Sequence, residues 1–215
     1  MLIPVQLNRG QPMKSITEIA DEIVTREGGF VDDPDDAGGP TNRGVTLKTL
    51  RALGRDLNGD GKVSLADLRL LSRDQARDIF LQQYYQRPGI ARLPQALQPS
   101  VFDMYVNAGA AAVRLLQRLL VDMGQRVSVD GVLGPETEQA AAVAHAAAPE
   151  HLVDAYGIAR RNFYYSLADK RVRSRKYARR RDGSKGGWIL RAENFMSPRY
   201  HLSAAEHAAR VAPWA

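Results

Sequence analysis

The sequence predicts a mainly α-helical chain, and three observations carry that prediction. Apolar residues recur at three- and four-residue spacing along most of the 215 residues, no stretch alternates for long, and serine capping boxes and first-turn prolines mark several helix starts. With 44% hydrophobic and 25% charged residues, wholesale disorder and a collagen-like fibre are excluded. Cysteine is absent, so disulfide staples, zinc-thiolate sites and thiol nucleophiles are excluded too, and the core must hold by burial. A chain of this length can do so.

Ser15-Ile16-Thr17-Glu18 is a capping box opening a helix whose stripe is Ile16, Ile19, Ala20, Ile23 and Val24, and Gly28-Gly29 ends it. Residues 30–46, FVDDPDDAGGPTNRGVT, are dense in Pro, Gly and Asp and read as a loop or short irregular hairpin. Ser72-Arg73-Asp74-Gln75 is a second capping box, starting a helix through about Tyr85, and Pro88 to Pro99 is a connection. A long helix is expected from about Ser100, with Val101, Met104, Tyr105 and Ala108 along one side. It continues past Gly109 with Val113, Leu116 and Leu120 as the central core helix. Pro135 and Pro149 suit the first turns of two further helices. Residues 170–187, mostly basic plus Gly and Ser, read as a solvated loop before a short helix around Trp188-Ile189-Leu190-Arg191. No run approaches the roughly 18 apolar residues of a membrane helix. The opening MLIPVQLNRGQPM has neither a basic n-region nor an apolar h-region, so synthesis in the cytoplasm is expected.

The net charge of +6 is unevenly spread: residues 157–215 hold fourteen basic and four acidic side chains, residues 1–156 sixteen and twenty. A basic C-terminal part points to an anionic partner, whether nucleic acid, a phospholipid surface or cell-wall polymer. Arg160-Arg161-Asn162-Phe163-Tyr164-Tyr165 and the cationic run 170–181 interleave cations with aromatics, a combination nucleic-acid binding would use. Yet Tyr156, Phe163 and Leu167 fall at helical spacing, which assigns the aromatics to the core and the charges to a solvated face. Attraction to an anionic wall or outer-membrane surface ranks above nucleic acid, which is not expected as a partner. A monomer is expected.

Glu27 is the first candidate for chemistry. Helix spacing sets it three residues after Val24 and four after Ile23, on the apolar stripe, where partial desolvation would favour the protonated carboxyl that a general acid needs. On that ground alone, a helix-terminal glutamate bending out into water is the simpler reading. Its company changes the balance, because Asp32, Asp33, Asp35 and Asp36 follow on a glycine-rich loop that can fold back opposite the helix end. Paired carboxylates in different environments are the apparatus of glycoside hydrolysis: one donates to the glycosidic oxygen, the other positions a water or stabilises charge at the anomeric carbon.

Glu27-Gly28-Gly29-Phe30 and the loop after it resemble the N-terminal signature of the glycoside hydrolase 108 family of N-acetylmuramidases, which includes phage endolysins and bacterial proteins once described as secretion activators. That family usually has tyrosine where Phe30 stands. Phe102-Asp103-Met104-Tyr105-Val106-Asn107-Ala108-Gly109 looks like its central-helix motif. Leu116-Gln117-Arg118 with Asp130-Gly131-Val132-Leu133-Gly134-Pro135 looks like its peptidoglycan-binding-like region, and Gly187-Trp188-Ile189-Leu190-Arg191 like its closing segment. The resemblance implies a lysozyme-like helical fold with a small β or loop element at the active site. It implies Glu27 as the essential acid, Asp36 and Thr41 holding the attacking water, and Asn107 as a sugar contact; Gln117 is left structural. The expected organisation is a catalytic lobe over 15–110, a helical peptidoglycan-binding-like region over 111–196 and a tail over 197–215. The implied activity is cleavage of the β-1,4 bond between N-acetylmuramic acid and N-acetylglucosamine in bacterial peptidoglycan. A phage endolysin, reaching the wall through a separate pore, is the expected context. A lytic transglycosylase and a non-catalytic wall-binding module are the alternatives.

Asp56-Leu57-Asn58-Gly59-Asp60-Gly61-Lys62-Val63-Ser64-Leu65-Ala66-Asp67 matches the twelve-residue EF-hand loop. Oxygen ligands fall on Asp56, Asn58, Asp60, Ser64 and Asp67, with the Lys62 carbonyl at the main-chain position and Gly61 at the sharp turn. Position 12 is Asp67 rather than glutamate, as in the dockerin-like repeats this segment resembles. The expectation is one structural Ca2+, with no cofactor needed for the chemistry.

Overall fold

The computed structural model describes residues 14–32 and 39–214. Ser15 starts the first helix by accepting from the Glu18 N–H at 3.1 Å while its own N–H donates to the Glu18 carboxylate at 2.7 Å. Helix α1 (Ile16–Glu27) buries Ile19, Ala20, Ile23 and Val24, the stripe its spacing predicts. Three two-residue strands follow: β1 (Phe30–Val31), β2 (Thr41–Asn42) and β3 (Val45–Thr46). They form an antiparallel sheet in the order β1-β2-β3, pairing Phe30 with Asn42 and Asn42 with Val45. Thr46 then caps α2 (Leu47–Ala52), whose Leu47 and Leu50 are buried. After the 56–67 loop come α3 (Leu65–Leu70) and α4 (Arg73–Phe80), the latter capped by Ser72 and running on as a π-helical turn, Leu81–Gln86. Helix α4 packs against α1. Residues 14–88 thus form one compact unit, mainly α with the small β element beside Glu27.

Residues 89–214 form the second unit. It contains α5 (Gln98–Ala108), α6 (Ala110–Asp122), α7 (Pro135–Ala147), α8 (Pro149–Lys170), α9 (Arg175–Ala178), α10 (Gly187–Glu193) and α11 (Ala204–Val211). The prolines at 135 and 149 open α7 and α8 as first-turn residues. The expected continuous helix from about Ser100 to Leu120 is broken at Gly109, whose φ of 54° lies outside the helical region. The apolar period carries across the break, which is why the spacing alone does not reveal it. The central element is instead α8, against which α5, α6, α7, α9 and α10 all pack. Because α5 joins this bundle, the chain packs as two compact units that divide between Pro88 and Gly89.

The basic C-terminal part is less solvated than its charge predicts. Arg160 and Arg161 are buried, so the expected solvated face does not include them. Arg160 donates to the Ser100 carbonyl and to the Asp103 carboxylate, which Arg191 also reaches. Arg161 donates to the Tyr200 carbonyl and pairs with Glu193. Each buried guanidinium is thereby given an acceptor or an opposite charge, without which its burial would be strongly unfavourable. Burial pushes the Asp103 carboxyl up, but the two guanidiniums outweigh it and hold it at about 2. Of the residues at helical spacing, Tyr156 is buried while Phe163 and Leu167 are half-buried; Tyr164 and Tyr165 are the other buried aromatics of α8. Residues 170–187 hold α9 and a bridge pairing Arg179 with Lys185. The expected tail contains α11, and its His207, Val211 and Trp214 are buried, the last two in one cluster with Tyr165 and Ile189. Gln117 donates to Asp130 at 2.7 Å and accepts from the Gly131 N–H at 2.8 Å, a structural role tying α6 to the next loop. Among the described residues no helix is long and apolar enough to cross a membrane.

Candidate active site

Glu27 is the last residue of α1, and Gly28 turns the chain away with φ 78°. The Glu27 side chain is exposed, so the partial desolvation expected from the apolar stripe is not found in the free protein. The stripe ends at Val24, and the final turn of α1 projects past the packed region. What fixes Glu27 is the β2–β3 hairpin. Its two-residue turn, Arg43-Gly44, has φ of 53° and 78°, the type I′ pattern that matches the twist of paired strands. A Cβ added at Gly44 would lie 2.8 Å from Glu27 Cγ, 3.0 Å from Glu27 Cβ and 2.9 Å from Phe80 Cζ. The Gly44 backbone therefore packs directly on the aliphatic stem of Glu27 and the edge of Phe80, and only glycine fits there. Phe80 in turn stacks on Tyr84 at 5.3 Å.

The hairpin is itself anchored. Asn42 is buried and donates through Nδ2 to the Leu68 carbonyl of α3 at 2.7 Å, and the Arg69 guanidinium lies 4.8 Å from the centre of the Phe30 ring. Phe30, half-buried, thus occupies its place in the sheet with a cation over its face. Thr41 is half-buried in β2, paired with Val31 and Thr46. Asp36 lies outside the described residues, as do Asp33 and Asp35; Asp32 is exposed. Asn107 belongs to the other unit. It is exposed rather than part of a buried face, donating to the Asp103 carbonyl at 2.8 Å and accepting from Arg191 at 3.3 Å. Spacing missed Gly44, Phe80, Asn42 and Arg69. The Asn-Arg-Gly turn between two Thr-containing strands was the legible signal for Gly44; nothing local marks the others.

The 56–67 loop folds around its own side chains. Asp56 accepts from the Gly59 N–H at 2.7 Å and the Gly61 N–H at 2.8 Å, and Gly61 has φ 83°. Asn58 accepts from the Asp60 N–H at 3.0 Å, and Asp60 from the Lys62 N–H at 2.8 Å. Asp67 is fully buried and accepts from four donors: the N–H groups of Ser64, Leu57 and Asn58, and the Ser64 hydroxyl. The Ser64 N–H, with those of Leu57 and Asn58 and the hydroxyl, outweighs burial and lowers the Asp67 pKa to about 2. Both its oxygens are saturated by protein donors, whereas each Asp56 oxygen takes a single N–H and keeps an acceptor site. Among the described residues, no three carboxylate or imidazole side chains form a group able to hold a metal ion.

Comparison with known proteins bears on both units. Residues 20–109 match the model of glycosyl hydrolase 108, and residues 111–193 match that of a predicted peptidoglycan domain. A solved structure, that of SagA from Brucella abortus, is 25% identical and superposes with a TM-score of 0.54, covering 90% of this chain and 94% of that one. No curated protein matches. A region similar to glycosyl hydrolase 108 that carries Glu27, followed by a region similar to a peptidoglycan domain, supports a peptidoglycan hydrolase.

Proposed function

We propose that the chain is an N-acetylmuramidase that cleaves the β-1,4 bond between N-acetylmuramic acid and N-acetylglucosamine, with Glu27 as general acid. The observation that carries this reading is the seat of Glu27, an exposed carboxyl at a helix end whose stem is held against Gly44 and Phe80. Such a carboxyl is rigid in its stem and open at its head. A glycan lying over it would displace its water and bring the glycosidic oxygen to the carboxyl head, which hands a hydrogen to the departing sugar oxygen. Asp36 and Thr41 are assigned to the attacking water, with Thr41 on the strand next to the Gly44 turn. Asn107 is assigned to sugar contact by family resemblance. Turbidity loss of purified walls is the test: Glu27→Gln, with the fold intact, reduces clearing by at least about a thousandfold, in the range of a lost general acid and its positioning. Mass analysis of the released muropeptides then gives hydrated reducing ends; 1,6-anhydro ends would identify a lytic transglycosylase instead. Clearing that survives Glu27→Gln refutes the catalytic reading.

For the biological setting we propose a phage endolysin acting on the host wall after passage through a separate pore. Co-expression with a pore-forming protein gives lysis, and expression alone gives none. The exposed cations of the 170–181 stretch support approach to an anionic wall or outer-membrane surface, an attraction that high salt abolishes.

We further propose that the 56–67 loop takes one Ca2+ through Asp56, Asn58, Asp60, the Lys62 carbonyl and Ser64. Asp67 is left out of that set, because its four donors already saturate it. Two carboxylates rather than three make a weak site. Millimolar calcium raises the melting temperature relative to chelator, and equal melting in both refutes the assignment.

A further inference from the structure

The β2–β3 turn holds a charged residue to which the hydrolysis described above gives no role. Arg43 has a φ of 53° and is the only non-glycine residue with positive φ among the described residues. A two-residue type I′ turn requires left-handed backbone at both positions, which asparagine and glycine adopt readily and arginine adopts at a cost in free energy. The side chain is unfavourably placed as well. Arg43 is half-buried, its Nε is shut off from solvent without a hydrogen-bond partner, and no described residue pairs with its guanidinium. Arg77, Arg160, Arg161, Arg191 and Arg210, also buried or half-buried, each meet a carboxylate. A partly covered cation without a counter-charge is unfavourable in the free protein, and backbone strain of this kind clusters where it serves a ligand. Arg43 is bonded directly to Gly44, whose backbone packs on the stem of Glu27, so the unpaired charge starts one residue from the contact that seats the acid.

We propose that Arg43 is a specificity residue that pairs a carboxylate carried by the muramic acid of the substrate, on its lactyl group or on the peptide stem attached there. The proposal rests on the reading of Glu27 as the acid of an N-acetylmuramidase. In the bond assigned to Glu27, the sugar that loses its anomeric bond is the muramic acid, and the lactyl group is borne on that same ring. Its carboxylate therefore comes near the acid whenever the glycosidic oxygen does. A guanidinium meets a carboxylate through two parallel N–H···O bonds, so the pair orients the ring as well as holding it. A polymer of N-acetylglucosamine alone has no such anion, and Arg43 thereby tells peptidoglycan from it.

Two pairs of glycan strands test it with the full chain: peptide-free strands with lactyl carboxylates free or converted to carboxamides, and stem-bearing strands with stem carboxylates free or converted. The wild type has a kcat/KM about tenfold higher on the free carboxylate, the effect of one charge-assisted pair, and Arg43→Asn cuts both members of the pair at one rate. Preference within the peptide-free pair assigns the lactyl carboxylate; preference only within the stem-bearing pair assigns the stem. Arg43→Asn melts at or above the wild-type temperature, because asparagine suits the left-handed turn. Equal cutting of both members of both pairs by the wild type overturns the proposal. So does a preference that Arg43→Asn keeps, or a lower melting temperature in that variant, which would give Arg43 a structural role. Calorimetry in the Glu27→Gln background separates Arg43 from the catalytic reading. Strands bound about tenfold more tightly through the free carboxylate, and equally once Arg43→Asn is added, uphold Arg43 even where the wild type cuts nothing. Strands cut by the wild type without preference reject Arg43 alone, and strands neither bound nor cut reject both.

Discussion

Replacing Gly44 by alanine isolates what holds Glu27. The new Cβ would sit 2.8 Å from Glu27 Cγ and 2.9 Å from Phe80 Cζ, at a φ of 78°. Carbon atoms in ordinary contact stand about 3.5–4.0 Å apart, so the Glu27 stem has to retreat by roughly 0.7 Å or more. The left-handed backbone costs a non-glycine residue about 1–2 kcal/mol, and forcing a methyl into a filled space about 1–3 kcal/mol more. A loss of about 2–5 kcal/mol is therefore expected. A shift approaching 1 Å at a reacting group lowers rates by about 100-fold. The expected result for Gly44→Ala is a tenfold to hundredfold fall in kcat on purified walls, with a smaller change in KM. Gly54→Ala is the matched control: Gly54 also has positive φ, 62°, but an added Cβ meets nothing within 4 Å. It should lose about 1 kcal/mol of stability and keep full activity. Gly44→Ala cutting walls at the wild-type rate, or Gly54→Ala losing as much activity, refutes the idea that the hairpin turn seats the acid.

Asp103→Ala leaves Arg160 and Arg191 without their shared carboxylate and is expected to destabilise by about 3–5 kcal/mol, read by denaturant unfolding. A loss under about 1 kcal/mol would show that the pair does not matter to stability. Asp67 gives a pH test whose sign is set by its lowered pKa. Its stabilising contribution is complete above the ordinary carboxylate range near 3.9 and lost as pH falls through about 2. The wild-type melting temperature should therefore drop more steeply between pH 4 and pH 2 than that of Asp67→Asn, which should already be lower at pH 7. Parallel curves would contradict that assignment.

Much of the first unit was legible in the chain itself. Ser15, Ser72 and the stripe from Ile19 to Val24 state α1 and α4 in residues no more than four apart, and capping and helical periodicity act over that distance. Glu27 was recognisable by its motif, but its environment was not. A stripe says which face a helix buries, not where the packed region stops, and α1 runs one turn past it. The same limit hid the break at Gly109, where the apolar period continues although the backbone does not.

What tertiary structure alone decided is the fate of charges and of space. Arg160 reads as a surface cation until Asp103, 57 residues earlier in the chain, meets it inside the second unit. Asp67 reads as one loop carboxylate among several until four donors from its own loop close on it and bury it. Gly44 reads as a turn glycine until Glu27 and Phe80 arrive where its side chain would be. Helices and turns are chosen by neighbours along the chain, so the sequence by itself determined them and the hydrolase motif they carry. The cost of burying a charge, or the room for one methyl group, depends on which distant residues are brought alongside, and only the folded chain determines that.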